Sequence, residues 1–311
     1  MIARFRQLSL SGLCILLAGA LASAADLPYE QHENIVYHDS KEFGVGLVMD
    51  VFTPTGKANG LAIVDVASGA WHSDRGKIND HKKAKFYDIF CGRGYTVFAI
   101  RPGSINRFNG HDMLANLKTG IRWVKQHSAG YKIDPARLGL TGASAGGHLA
   151  CLAAVRPDDA NGEQPDTRVK AAGVFFPPTD FLMYGDRPFN TKSKLTLGLA
   201  APRDGKVLED KQLEESLALL SPARQVTEKA PPFLLIHGDA DFTVPLQQSQ
   251  TLMDALKKAN VAAELIVKKG GGHPWPTIHE EVEVLAKWFD DQLVAAKTAA
   301  TATSAPPAAG K

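Results

Sequence analysis

Cysteine is scarce. The chain has three in 311 residues, and only Cys91 and Cys151 fall outside the first segment. That excludes a disulfide framework. Both are expected to be free and buried, on helices at opposite faces of a sheet. Charge of one sign is also missing. The net charge is +2 with charged residues at 22%, so no basic stripe points to nucleic acid and no acidic block to a solvating tail. Beyond the N-terminus no apolar run is long enough to span a membrane. Internal repeats are absent. His72, Asp74, Asp80 and His81 lack tight ligand spacing, so no metal site is expected.

What is present starts with a leader-like N-terminus. Arg4 and Arg6 precede a largely apolar run from Leu8 to Leu21, followed by the small-x-small triplet Ala22-Ser23-Ala24. This reads as a signal peptide over residues 1–24. The expected location is secreted or periplasmic, with no stable membrane span after cleavage. At the other end, residues 295–311 are rich in Ala, Thr and Pro without a periodic apolar face, and are expected to be disordered.

Between these ends, apolar strand patterns alternate with helical ones. Two early strands, near 34–38 and 45–52, are expected to pair. Buried strands are expected at 61–66, 94–100, 137–141, 169–176, 232–237 and 262–268. Helices are expected at 80–91, 111–126, 246–259 and 279–293. This is an α/β pattern: a mostly parallel sheet with helices on both faces, forming one domain over 25–294. Residues 181–231 break the alternation. The excursion is too long for a structureless connector and reads as a small cap insertion.

Gly142-Ala143-Ser144-Ala145-Gly146 lies between the strand ending near Thr141 and a helix of small residues from Gly147. A serine on so sharp a turn leaves no room for side chains on its neighbours. The turn exposes the hydroxyl at a helix N-terminus, which favours negative charge. Such a serine needs a base, and the base an orienting acid. Both are expected at later strand ends, in the order Ser, acid, His. His237-Gly-Asp239-Ala-Asp241 follows one strand and Gly270-Gly-Gly-His273 the next. Asp241 is the acid and Asp239 its competitor. His273 is the base, and His279, six residues on, is the weaker alternative.

On these residues the chain resembles an α/β-hydrolase over roughly residues 34–293. It is most similar to secreted acetyl-esterase, acetylxylan-esterase and feruloyl-esterase-like enzymes and to the prolyl-oligopeptidase-like branch. Gly-Ala-Ser144-Ala-Gly-Gly, the Asp241 loop with Val244-Pro245, and Gly-Gly-Gly-His273 carry the resemblance, with Phe176-Pro-Pro-Thr-Asp180. It implies an α/β-hydrolase fold and a serine esterase acting through an acyl-enzyme, with no cofactor. The expected substrate is a small-molecule or carbohydrate ester. Relatives carry a His-Gly-Gly-Gly-Trp-like oxyanion stretch where this chain has Ala67-Ser-Gly-Ala-Trp71. Ala145 N–H is expected to supply one oxyanion donor, and Gly69 or Ala70 the other. Trp71 and Trp275 flank the site, packing loops or stacking on substrate. His148 is expected to pack or bond a carbonyl, and Arg101 and Asn106 to line the pocket or order a loop. The same triad could serve a peptidase or amidase, and the altered oxyanion stretch would suit a non-catalytic binding protein on the same scaffold.

Overall fold

The computed structural model describes residues 27–303 except 43, 189–192 and 203–206. The leader assigned to 1–24 lies outside that set. The chain runs β1 (Tyr29–Ser40), β2 (Val45–Pro54), β3 (Ala62–Val66), α1 (Arg75–Lys83), α2 (Phe86–Gly92), β4 (Thr96–Ile100), α3 (Gly110–Gln126), α4 (Ser128–Tyr131), β5 (Leu138–Ala143), α5 (Ala145–Val155) and β6 (Ala171–Phe175). It continues through β7 (Met183–Tyr184), β8 (Arg187–Pro188), α6 (Lys194–Ala200), α7 (Asp210–Leu219), β9 (Phe233–Gly238), α8 (Gln247–Lys258), β10 (Ala263–Lys268) and α9 (Ile278–Thr303).

The main sheet has the order β1-β2-β4-β3-β5-β6-β9-β10. β1 pairs antiparallel with β2, and β2 with β4. The remaining neighbours are parallel. Every residue of β3, β4 and β6 is buried, as continuous apolar runs in a sheet covered on both faces require. One core cluster packs α3, α5 and α8 against the sheet, and a second packs α2 and α9 against the opposite face. Cys151 belongs to the first and Cys91 to the second, and both are free and buried.

Three elements depart from expectation. The helix expected over 80–91 is two, α1 and α2, broken at Lys85, which takes a left-handed φ of 55°. α1 starts early because Asp74 caps it, its carboxylate accepting from Gly76 N–H at 2.7 Å. Ile78 is its only buried residue, so apolar periodicity could not reveal it. α9 runs to Thr303 rather than stopping near Leu293. Alanine, which recurs in this stretch, has the best intrinsic helix propensity. The segment 181–231 holds the β7–β8 hairpin, α6 and α7. Leu199, Leu213, Leu217 and Leu220 join the core cluster of α3 and α5. Asn109 Nδ2 also donates to Ala201 O at 3.2 Å. The described parts of the insertion are packed into the domain.

Candidate active site

β5 and α5 meet at Ser144, whose φ of 54° and ψ of −121° lie outside the usual regions for a side-chain-bearing residue. Such a conformation costs on the order of 1–3 kcal/mol and persists only where the surroundings impose it. Here Ser144 N–H donates to Phe175 O (3.0 Å) and Gly146 N–H to Ser68 O (2.9 Å). A Cβ at Gly142 would lie 2.5 Å from the Gly146 carbonyl carbon, and one at Gly146 would strike the Val66 carbonyl oxygen. The glycines are therefore steric requirements of the turn.

Ser144 Oγ lies 2.9 Å from His273 Nε2, and His273 Nδ1 lies 2.6 Å from Asp241 Oδ2. With the carboxylate accepting from Nδ1–H, Nε2 is left to accept the serine proton. Asp241 Oδ1 accepts from Thr243 N–H (2.8 Å) and Val244 N–H (2.9 Å). Burial pushes the Asp241 carboxyl up, but hydrogen bonds from His237, His273 and Val244 N–H outweigh it and hold the group well below the usual carboxylate range. His237 Nε2 also bonds Val244 O at 2.8 Å and its Nδ1 bonds Ser249 Oγ at 2.7 Å, which fixes the loop carrying the acid. The competitor Asp239 instead accepts from Gly270 N–H at 2.6 Å, bracing the loop that leads to His273. His279 lies on α9, outside the hydrogen-bonded chain. The Phe176 ring packs on the His273 imidazole at 4.4 Å between centroids.

The oxyanion stretch forms a tight turn. Gly69 N–H donates to His72 O and His72 N–H to Gly69 O, both at 2.9 Å, with φ of 48° at Ala70 and 57° at Trp71. Positive φ at both central residues is the signature of a type I′ turn. This corrects the expectation for Gly69, whose N–H is already committed. The N–H groups of Ala70 and Ala145 have no hydrogen-bond partner among the described residues. Trp71 is buried, and its Nε1–H donates to His148 Nδ1 (3.0 Å), while His148 Nε2–H donates to Leu220 O (2.7 Å). Burial lowers the His148 pKa to about 4. Trp275 Nε1–H donates to Glu281 at 2.6 Å. Both indoles border the cavity, and buried and hydrogen-bonded they anchor its loops. Arg101 donates to Asn34 and Asp50. With Asn106 it borders a different, shallow cavity of about 450 Å³, so it orders a loop away from the serine.

Ser144, His273, Ala70 and Phe176 line a cavity of about 830 Å³. Four of the eight non-glycine residues with positive φ among those described, Ala70, Trp71, Ser144 and Phe176, border it. Strain concentrates at the site, as at many functional centres. The sequence reading missed Phe176 as a partner of the histidine. It also missed Asp65, although one carboxylate inside the apolar run Ala62–Val66 was a visible signal. Among the described residues, no group of His, Cys, Asp and Glu is arranged to hold a metal ion. No helix among them is long and apolar enough to cross a membrane.

Comparison with known proteins adds ancestry to this geometry. The BD-FAE family profile matches residues 18–256. His273 lies beyond that match, so its placement rests on the structure. A probable carboxylic ester hydrolase of Mycobacterium tuberculosis, LipM, is 29% identical over 204 residues, covering 64% of this chain and 45% of that protein. A probable isoprenylcysteine alpha-carbonyl methylesterase of Arabidopsis thaliana is 30% identical over 241 residues, covering 72% and 54%. The chain spans about half the length of these curated relatives. Among solved structures, a truncated carbohydrate esterase from gut microbiota superposes with a TM-score of 0.72 at 26% identity, covering 87% of this chain and 99% of that one. A thermophilic esterase from the planctomycete Thermogutta terrifontis gives 0.64 at 25% identity, covering 85% and 91%. The neighbours share the α/β-hydrolase fold.

Proposed function

The chain belongs to the BD-FAE family, and on that premise we propose that it is an exported serine esterase that removes acetyl or feruloyl groups from carbohydrate. The observation that carries this reading is the continuous chain from Ser144 Oγ through His273 to a buried, ionised Asp241. Ser144 Oγ attacks the ester carbonyl while His273 Nε2 takes its proton. The developing oxyanion is held by Ala145 N–H and Ala70 N–H. His273 then protonates the departing alcohol, leaving an acyl-enzyme. Water attacks it, His273 again acting as base, and the acid leaves with Ser144 restored. Asp241 keeps Nδ1 protonated and stabilises the imidazolium. The names of the relatives, a carboxylic ester hydrolase and a carbohydrate esterase, support ester chemistry.

A substrate screen tests the proposal. Purified protein should turn over acetylated xylan, feruloyl esters and short p-nitrophenyl esters, and leave aminoacyl anilides essentially untouched. Faster cleavage of the anilides would replace the esterase reading with a peptidase. Export predicts a mature N-terminus directly after Ala24 or Ala25 in protein recovered from periplasm or medium. Recovery of the uncut chain in the cytoplasm would refute it.

A further inference from the structure

Asp65 is out of place by ordinary packing. It sits in β3 among Ala62, Ile63, Val64 and Val66 and is fully buried. A carboxylate is costly in such a place unless it is paired. Its partners come from α1 and α2: His81 Nδ1 lies 2.7 Å from Asp65 Oδ2, and Tyr87 OH donates to the same oxygen at 3.0 Å. An apolar trio of similar volume would serve the core at least as well, so the fold itself gives no reason for this set.

The cavity gives one. Asp65 and His81 line the same space as Ser144. The His81 side chain is 17% exposed. With Nδ1–H directed to Asp65, Nε2 on the far edge of the ring has no protein partner among the described residues. Lys77, Asp80, His81 and Ala84 follow helical spacing and all border the cavity, so α1 presents it with a polar stripe. Phe86, Phe175, Trp275 and Val282 form apolar walls. Asp65 Oδ1, Ser68 Oγ and Thr141 Oγ1, on residues that also border the cavity, likewise lack partners among the described residues. Beside the catalytic His273, the cavity thus holds a second oriented imidazole, His81, between its polar stripe and its apolar walls.

We propose that the Asp65–His81 pair is a substrate-recognition subsite that hydrogen-bonds a hydroxyl on the acyl or alcohol part of the ester. The inference rests on the ester-hydrolase reading of Ser144. Asp80 is paired with Lys77 and Lys83, which border the same space, so His81 Nε2 is the group left on this wall to engage a ligand. A hydroxyl both donates and accepts, so it satisfies Nε2 in either protonation state. Burial opposes the charged imidazole, but attraction and hydrogen bonding from Asp65 outweigh it and raise the His81 pKa. In the charged form Nε2–H donates to the hydroxyl oxygen.

The test uses esters matched except for one hydroxyl: methyl 6-hydroxyhexanoate against methyl hexanoate, and 4-hydroxycyclohexyl acetate against cyclohexyl acetate. In at least one pair the wild type should favour the hydroxylated ester by about tenfold or more in kcat/KM, the scale of a hydrogen bond to a charged group. In His81→Leu that ratio should fall to about one. A wild-type ratio near one in both pairs, or an unchanged ratio in the variant, overturns the subsite. Because His81→Leu strands a buried carboxylate and could fail to fold, a second measurement uses Ser144→Ala. Titrating the same esters into it should shift the His81 ring NMR signals with the hydroxylated partner and not with the plain one. Equal responses, or none, overturn the proposal. This arm needs no turnover, so it separates failure of the subsite from failure of the hydrolase reading.

Discussion

Asp241 shows how a single residue can be charged and enclosed at once. Its side chain is fully buried, yet two imidazoles and backbone N–H groups hold its carboxyl well below the usual range. A depressed folded-state pKa stabilises the protein above the unfolded value of about 3.9, and that contribution is lost as pH falls below it. Asp241→Asn removes the charge that fixes the His273 tautomer. Expected is a fall in kcat of about 10³- to 10⁴-fold with KM little moved. Asp239→Asn disturbs only the bond to Gly270 N–H and should cost less than about tenfold, on the scale of one neutral hydrogen bond. Steady-state kinetics of the two variants check the assignment, and equal losses would show that the acid is misplaced. His273 and Asp241 were legible because residue type, strand-end position and chain order converge on them. Asp65 was overlooked because its partners, His81 and Tyr87, lie 16 and 22 residues away on α1 and α2, and only the fold brings them to it.

At the scale of elements, α5 is the hub. Ser144 immediately precedes it, and His148 one turn on ties Trp71 of the oxyanion turn to Leu220 at the end of α7. His148 is buried and neutral, with a pKa lowered from about 6.5 to about 4 by burial. The sign follows from proton binding. The unfolded chain takes up a proton between these values and the folded chain does not. Stability is therefore complete above about pH 6.5 and lost as pH falls towards 4, by about 3 kcal/mol. His148→Phe should be less stable at pH 7 but flatten this limb of a denaturation-versus-pH series. An unchanged acid slope would mean that His148 is not the titrating group. Gly146→Ala drives a methyl into the Val66 carbonyl, and loss of soluble folded protein, read by circular dichroism, is the expected result. The buried strands were legible as continuous apolar runs. The oxyanion turn was not, because alanine and tryptophan carry no local sign of left-handed φ; distant groups hold Trp71, Ile105 N–H donating to its carbonyl (2.8 Å) and His148 accepting from its indole. The first turns of α1 escaped notice because Ile78 is its only buried residue and it turns a polar stripe towards the cavity.

At the scale of the whole molecule, the sheet separates two cores and collects the chemistry where β5, β9 and β10 end. Ser144, Asp241 and His273 follow these strands in turn, and the parallel pairing of β5, β6, β9 and β10 brings the three loops to one edge. The separation also isolates the thiols. Burial pushes Cys91 up to about 12 and Cys151 higher still. Neither should react with a thiol reagent in the native state, and both should react once the chain is unfolded in guanidinium. Rapid native labelling of either would contradict the packing. The central claim is that this whole arrangement serves one nucleophile. Labelling with a fluorophosphonate probe, read by intact mass and peptide mapping, tests it most directly. One adduct per chain on the peptide containing Ser144, absent in Ser144→Ala, is the predicted result. Equal labelling of wild type and Ser144→Ala, or no labelling of folded wild type, would contradict it.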